Sequence, residues 1–350
     1  MNFFRKKKSN KAMLKENLVD GEDAETQQPS TNREPLEVES RRGGGKSYDE
    51  FSDTEDEESV YLMDVYETRQ KYSPLSYIFS ILQTIILGVM MWQCGVAPLN
   101  INPMVGPYPD GLNHWGGKNG VLIIEDGEWW RMITPIFLHA GIFHLVGNVQ
   151  VQLDMGAFFE KEWGSLNWLI IYITSAIGGS ILSTISKPDI VSVGSSGAVC
   201  GLFGAKMTEV FLRCCEPNDT LQERAARAVR RAECGGVLCS VVLVGLMSFI
   251  PFVDWAAHLG GLLGGLVVGF VIFPCWIRSW FWRVGWCIFG LFITILSFFL
   301  CLQYMYTMVE ASDELRDVCG YYQQFFQDYE CHCMVEEYNF QWNNNGDSGD

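Results

Sequence analysis

Charge is scarce where this chain's apolar residues are densest. Its 350 residues carry 41 acids against 25 lysines and arginines, a formal net charge of -16, but the acids concentrate in the two ends and thin out between them. The balance therefore describes the tails and not the middle. A basic stripe is absent, and so is any Gly-rich phosphate loop, which removes nucleic acid and nucleotides from the expected partners. Arg5-Lys6-Lys7-Lys8 is not followed by an apolar run. A cleavable signal peptide is thus not expected, and the acidity that follows argues against a mitochondrial transit peptide. The cluster reads as solvated charge or as a contact with anionic lipid. Cys331-His332-Cys333 lacks the spacing of a standard zinc site.

What the chain does have is hydrophobicity in long blocks: 48% of residues are apolar and 13% aromatic. Windows of spanning length fall at 74–93, 133–157, 165–186, 190–212, 235–252, 255–274 and 284–308, which predicts an all-α, polytopic membrane bundle. Residues 1–72, polar and holding the acidic run Asp53 to Glu58, cannot bury enough apolar surface to fold and are expected to be disordered. If that tail is cytosolic, the loop predicted from Arg213 to Glu233 is cytosolic too. Its Arg213, Arg224, Arg227, Arg230 and Arg231 agree with the positive-inside rule, whereas the opposite side offers mainly Lys118 and Lys187. The carboxy-terminal tail, 310–350, then lies outside. So does the loop of about 95–131, whose Trp115, Trp129 and Trp130 favour the lipid interface.

Polar residues inside spans are costly and need partners. His144, Asn148, Gln152, Gly156 and Glu160 recur every four residues and so form one helix face, which suits either interhelical hydrogen bonding or a site. Gly194-Ser195-Ser196-Gly197, followed by Gly201 and Gly204, reads as packing or as a nucleophile turn. Ala257-His258-Leu259-Gly260-Gly261, followed by Gly264, Gly265 and Gly269, reads as a packing face with a structural histidine or as one with a base. Depth decides between them. The topology puts His144, Asn148, Ser196 and His258 within about two turns of the outer ends of their helices, and glycine-lined faces let Ser196 Oγ reach His258. Lys206 and Glu209, near the cytosolic end, are the one hint of a transporter.

In order along the chain, Trp130-Arg131, His144-x-x-x-Asn148, Gly194-x-Ser196-Gly197 and His258-x-x-Gly261-x-x-x-Gly265 resemble the signature of the rhomboid intramembrane serine proteases. The resemblance covers about 74–274. It implies a six-helix core over 73–274 and, in 275–309, the additional helix of the six-plus-one secretory-pathway type. It further implies a serine endopeptidase in which Ser196 attacks and His258 is the base, with no cofactor or metal. His144 and Asn148, with the Ser196 N–H, would hold the oxyanion. Trp130, Arg131, His139 and Glu160 would support the fold. The implied partners are single-span membrane substrates entering sideways from the lipid bilayer. The family's serine directly precedes the glycine, which selects Ser196 over Ser195. A departure is Cys200, where rhomboids often carry an aromatic that packs on the catalytic histidine. Asp254 is expected to cap the helix of His258. The rim Ser195, His144, Asn148 and Gln152 is the expected wet cavity. The other class left open is an inactive rhomboid-like protein that binds membrane segments without cutting them.

Cys94, Cys319, Cys331 and Cys333 fall on the outer side, where disulfides persist, and at least some are expected to pair and clamp the tail.

Overall fold

The computed structural model describes residues 68–213, 221–247, 253–326 and 328–333. Of the run 1–72 expected to be disordered, residues 1–67 with the Arg5–Lys8 cluster lie outside the described residues, as does the tail beyond 333. Within 68–72, Gln70 donates to Lys161 O at 3.2 Å and to Ser165 Oγ at 2.8 Å. Of the described residues, 68–213 and those from Arg230 on form one compact unit, and 221–229, the start of a helix, belong to a second.

The chain folds as a helical membrane bundle. Helix α1 (Pro74–Gln93) begins on a proline, whose missing N–H costs nothing in a first turn. Glu160 closes that turn: it accepts from Leu75 N at 2.9 Å, Ser76 N at 2.8 Å and Ser76 Oγ at 2.7 Å. A buried carboxylate so placed satisfies orphan donors and meets the positive end of the helix dipole. Ser165 Oγ also donates to Glu160, which ties the start of α6 to the start of α1.

Short helices α2 (Pro109–His114) and α3 (Gly120–Ile124) follow in the loop. The second expected span starts late. Instead of a helix from 133, residues Trp129–Met132 and Thr134–Phe137 form 3-10 turns around Pro135, and α4 runs Ile142–Val151. Arg131 explains the delay, because its Nη1 donates to Asn113 O at 2.7 Å and Gly117 O at 2.9 Å and so fastens this stretch to the loop. The helix then continues past 157. A π turn, Gln152–Gly156, leads into α5 (Ala157–Trp163). Such turns interrupt the i to i-4 ladder and are frequent near functional sites.

Helix α6 (Ser165–Ser186) matches its window. Helix α7 (Ser196–Arg213) starts six residues after the expected 190, because 190–195 run extended and Ser192 bridges Lys118. Helix α8 (Leu221–Met247) also departs from expectation: four of the five arginines assigned to a loop lie on the helix itself, and Arg213 ends α7. Arginine is a good helix former, so hydropathy alone underestimates such a helix. Helices α9 (Trp255–Ile272) and α10 (Trp280–Met308) follow, and α11 (Val318–Gln323) lies in the tail. Among the described residues, four segments can cross a membrane by length and composition: Pro74–Gln93, Ser165–Ser186, Trp255–Trp276 and Trp280–Met308. Of the other three expected spans, 133–157 is broken by the π turn, 190–212 carries Lys206 and Glu209, and 235–252 ends in residues outside those described.

The core is aromatic. Trp168 stacks on Tyr172 at 4.5 Å and Phe159 on Trp163 at 4.8 Å. Beyond them, Lys206 is fully buried with Glu162 at 2.6 Å, Glu209 at 2.9 Å and Glu233 at 3.0 Å. An ammonium ringed by carboxylates is paired, which accounts for its burial without a transport path.

At the other end the loop and the tail make a cap. Cys94 pairs with Cys333 and Cys319 with Cys331, the four cysteines singled out from sequence. Asp110 gathers the tail: its carboxylate accepts from Tyr329 Oη, His332 N and Cys333 N. His332 stacks on Tyr108 at 4.2 Å. Arg316 reaches Glu125 and Asp126 across the joint, and a small shared core of Val121, Leu122, Leu315 and Val318 sits beneath.

Candidate functional site

Helices α7 and α9 meet backbone to backbone. A Cβ placed on Gly261 would stand 1.9 Å from Gly197 O, and one on Gly265 would stand 1.8 Å from Gly201 O. Only glycine allows this approach, the close-packing mode of membrane helices. The seam fixes the relative height of the two helix starts. Ser196 opens α7, and His258 lies in the first turn of α9.

The consequence is direct: Ser196 Oγ lies 2.7 Å from His258 Nε2. With the ring proton on Nδ1, the hydroxyl donates to Nε2, the arrangement in which an imidazole can take a serine proton. Asp254 stands before the helix and accepts from Ala257 N at 3.1 Å, so it is the N-cap. Ser183 Oγ donates to its other oxygen, which joins the end of α6 to the start of α9.

Gly194 bends the chain into α7 with φ +127°, a conformation that side chains rarely tolerate. His144 occupies the space a side chain there would need. Its Cε1 and Nε2 lie 2.8 Å and 2.9 Å from an added Cβ, and that Cβ would be 3.8 Å from Ser196 Oγ. Ala140 N donates to His144 Nδ1 at 3.4 Å, which leaves the proton on Nε2, the nitrogen facing Gly194. Asn148 sits one turn deeper, nearly buried, with Nδ2 donating to His144 O at 3.0 Å. So Ser196, His258 and His144 converge, and Asn148 lies one turn along the helix from His144.

Two expectations need correction. Ser195 and Gln152 do not line a wet rim, for both are fully buried. Ser195 Oγ lies 3.5 Å from His139 Nε2, inside the fold. Gln152 donates to Ser80 Oγ at 2.8 Å and accepts from Tyr172 Oη at 2.6 Å, so its amide is used up holding α1, the π turn and α6 together. Cys200, the departure noted from the rhomboid pattern, is a buried thiol.

Lys118 is the residue that sequence reasoning passed over. It was noted only as one of the few cations on its side, yet it is 1% exposed and touches the strand that leads to Ser196. No periodicity marks a lysine in a loop, and hence the sequence held no signal for it.

Comparison with known proteins finds relatives over this part of the chain. A Rhomboid domain model matches residues 126–275. The chain is 35% identical over 175 residues to "RHOMBOID-like protein 6, mitochondrial" of Arabidopsis thaliana, covering 50% of this chain and 54% of that protein. It is 38% identical over 164 residues to "Rhomboid-like protease 5" of Toxoplasma gondii, covering 47% and 18%. It is also 31% identical over 166 residues to "Inactive RHOMBOID-like protein 8" of Arabidopsis thaliana, covering 47% and 44%. The chain spans about half the length of the first of these relatives.

Proposed function

Because the chain belongs to the rhomboid family, we propose that it is an intramembrane serine endopeptidase that cuts single-span membrane proteins within or beside their spanning segments. The observation that carries the reading is the 2.7 Å contact between Ser196 Oγ and His258 Nε2. In this reading His258 takes the hydroxyl proton as Ser196 attacks the scissile carbonyl, and later returns it to the leaving amine. His144 Nε2–H, the second N–H of the Asn148 amide and the Ser196 N–H are the donors for the oxygen on which charge develops. Losing one such donor typically costs about 3 kcal/mol of barrier. The chemistry needs no cofactor.

An intact helix hides its carbonyls in hydrogen bonds, so substrates should carry helix-weakening residues near the cut. For orientation, we place the dyad end outside the cytosol. Two disulfides at that end suit an oxidising compartment, and Arg213 closes the opposite end of the helix that Ser196 opens. A helix following the core, α10, suits a secretory-pathway or plasma-membrane rhomboid with an external carboxy terminus. The inactive reading lacks support from the site, since both dyad members are present and in contact.

The test is coexpression with a single-span reporter. Wild type should release the cleaved fragment, while Ser196→Ala and His258→Ala should abolish it. Equal fragment from all three would overturn the reading.

A further inference from the structure

The connection from α6 to α7, residues 187–195, alone carries the chain to Ser196, and one loop residue grips it at two points. Lys118 N donates to Ser192 O at 2.8 Å and Ser192 N donates back to Lys118 O at 3.0 Å. At the other end of the connection Lys118 Nζ donates to Lys187 O at 2.7 Å. The main chain therefore holds the strand four residues before Ser196, and the side chain holds the exit from α6. Flanking contacts leave no slack. A Cβ on Gly117 would stand 3.2 Å from both Val191 and Val193, and one on Gly120 would stand 2.5 Å from Pro188 O.

The same ammonium lies within electrostatic reach of the start of the helix that carries the base. Of the charged groups around it, Asp254 and Asp189 favour its charge, whereas Lys187 opposes it. Asp254 is the cap of α9, four residues before His258. Lys118 thus touches the approach to the nucleophile through hydrogen bonds and the helix of the base through charge, although it contacts neither reacting atom.

We infer that Lys118 is a positioning residue for the Ser196–His258 pair, stapling the connection to α7 and balancing the carboxylate that caps α9. The inference rests on the protease reading above. A buried side chain with 1% exposure and two anchor points is well suited to the task, because an error of about 1 Å at a reacting group can cost about 100-fold in rate. Burial also brings its pKa down to about 8, with Asp254 and Asp189 resisting the fall. The ammonium therefore discharges within reach of an ordinary assay. Above that pH the staple keeps a donor but loses its charge against Asp254.

The experiment uses the full chain in liposomes with a single-span reporter, followed from about pH 6 to about pH 10, with Ser196→Ala as reference. In wild type, kcat should fall as pH rises through about 8. Lys118→Arg, whose guanidinium stays charged, should lose that inflection. Lys118→Met should lower kcat about tenfold or more at all pH values with KM unchanged, since no substrate contact is removed. A wild-type and Lys118→Arg pair with the same profile would overturn the inference. So would Lys118→Met at the wild-type rate. If Lys118→Met fails to fold, shown by loss of its thermal transition, the wild-type and arginine profiles still decide. Fragment persisting in Ser196→Ala would sink the protease reading instead, a separate outcome.

Discussion

The seam between α7 and α9 and the cap above it solve the same problem in opposite ways. The seam holds its partners by backbone shape, with glycines standing where any side chain would collide. The cap holds its partners by side chains and covalent bonds: Asp110 on the tail, Arg316 on Glu125 and Asp126, and two disulfides. Close packing has no adjustable part, so it sets distances finely and tolerates no added volume. Disulfides restrict the unfolded chain and surface ion pairs add little, and neither sets distances at the site. The difference implies that the seam governs whether Ser196 and His258 meet, and that the cap governs how long the assembly survives.

The largest effect should come from filling the seam. Gly261→Val puts branched carbon where Gly197 O stands, 1.9 Å from the Cβ position, and both atoms belong to helix backbones that cannot swing aside. Overpacking costs about 1–3 kcal/mol where side chains can yield, and more where backbone must move. Cleavage should fall below detection and the thermal transition should drop or vanish. Gly285→Val is the control, since nothing lies within 4 Å of its Cβ position on α10. It should cleave and melt like wild type, and a matching loss there would refute the contrast.

A smaller effect follows from opening the cap. Cys94 and Cys333 are 239 residues apart in sequence, so their bond closes a loop as long as the core itself. Chain-entropy reasoning assigns such a closure about 5 kcal/mol. Cys94→Ser should therefore lower the melting temperature strongly while leaving cleavage below that temperature within about threefold of wild type, because no seam contact changes. Full loss of cleavage in a protein that still melts cooperatively would mean the cap also sets the dyad.

How far these two regions were legible from sequence differs in the same way. The seam was readable because small residues at spacings of three and four mark one helix face, and because serine and histidine stood at matching depths. The partners of the cap were not. Four cysteines on one side announced pairing, but which bonds form depends on where Asp110 and Tyr329 bring the tail, contacts more than 200 residues apart. Helix starts were misjudged where hydropathy was the only guide. The stretch at 133–141 is apolar yet bound into the loop by Arg131, and the first turns of α8 are charged yet helical. Gln152 was placed at a wet rim because periodicity gives a residue's face without its depth. The structure spends its amide on Ser80 and Tyr172 in a dry core.

The smallest effect probes where the two regions touch. Asp254 caps α9 through Ala257 N, accepts from Ser183 Oγ and faces Lys118. Replacing a cap by alanine costs about 1 kcal/mol, while asparagine caps nearly as well as aspartate. Asp254→Ala should thus lower stability by about that amount and Asp254→Asn by a few tenths. The two variants share the loss of charge, however, and there they should behave alike. Asp254 is the first of the groups that hold the Lys118 pKa up against burial. Without it the ammonium discharges more readily, so the inflection in kcat should move below about pH 8 in both. A shift in the alanine variant only would assign it to a frayed helix. An equal shift in both, with stability lost only in alanine, would separate the charge of Asp254 from its cap and show that the cap reaches the dyad through Lys118.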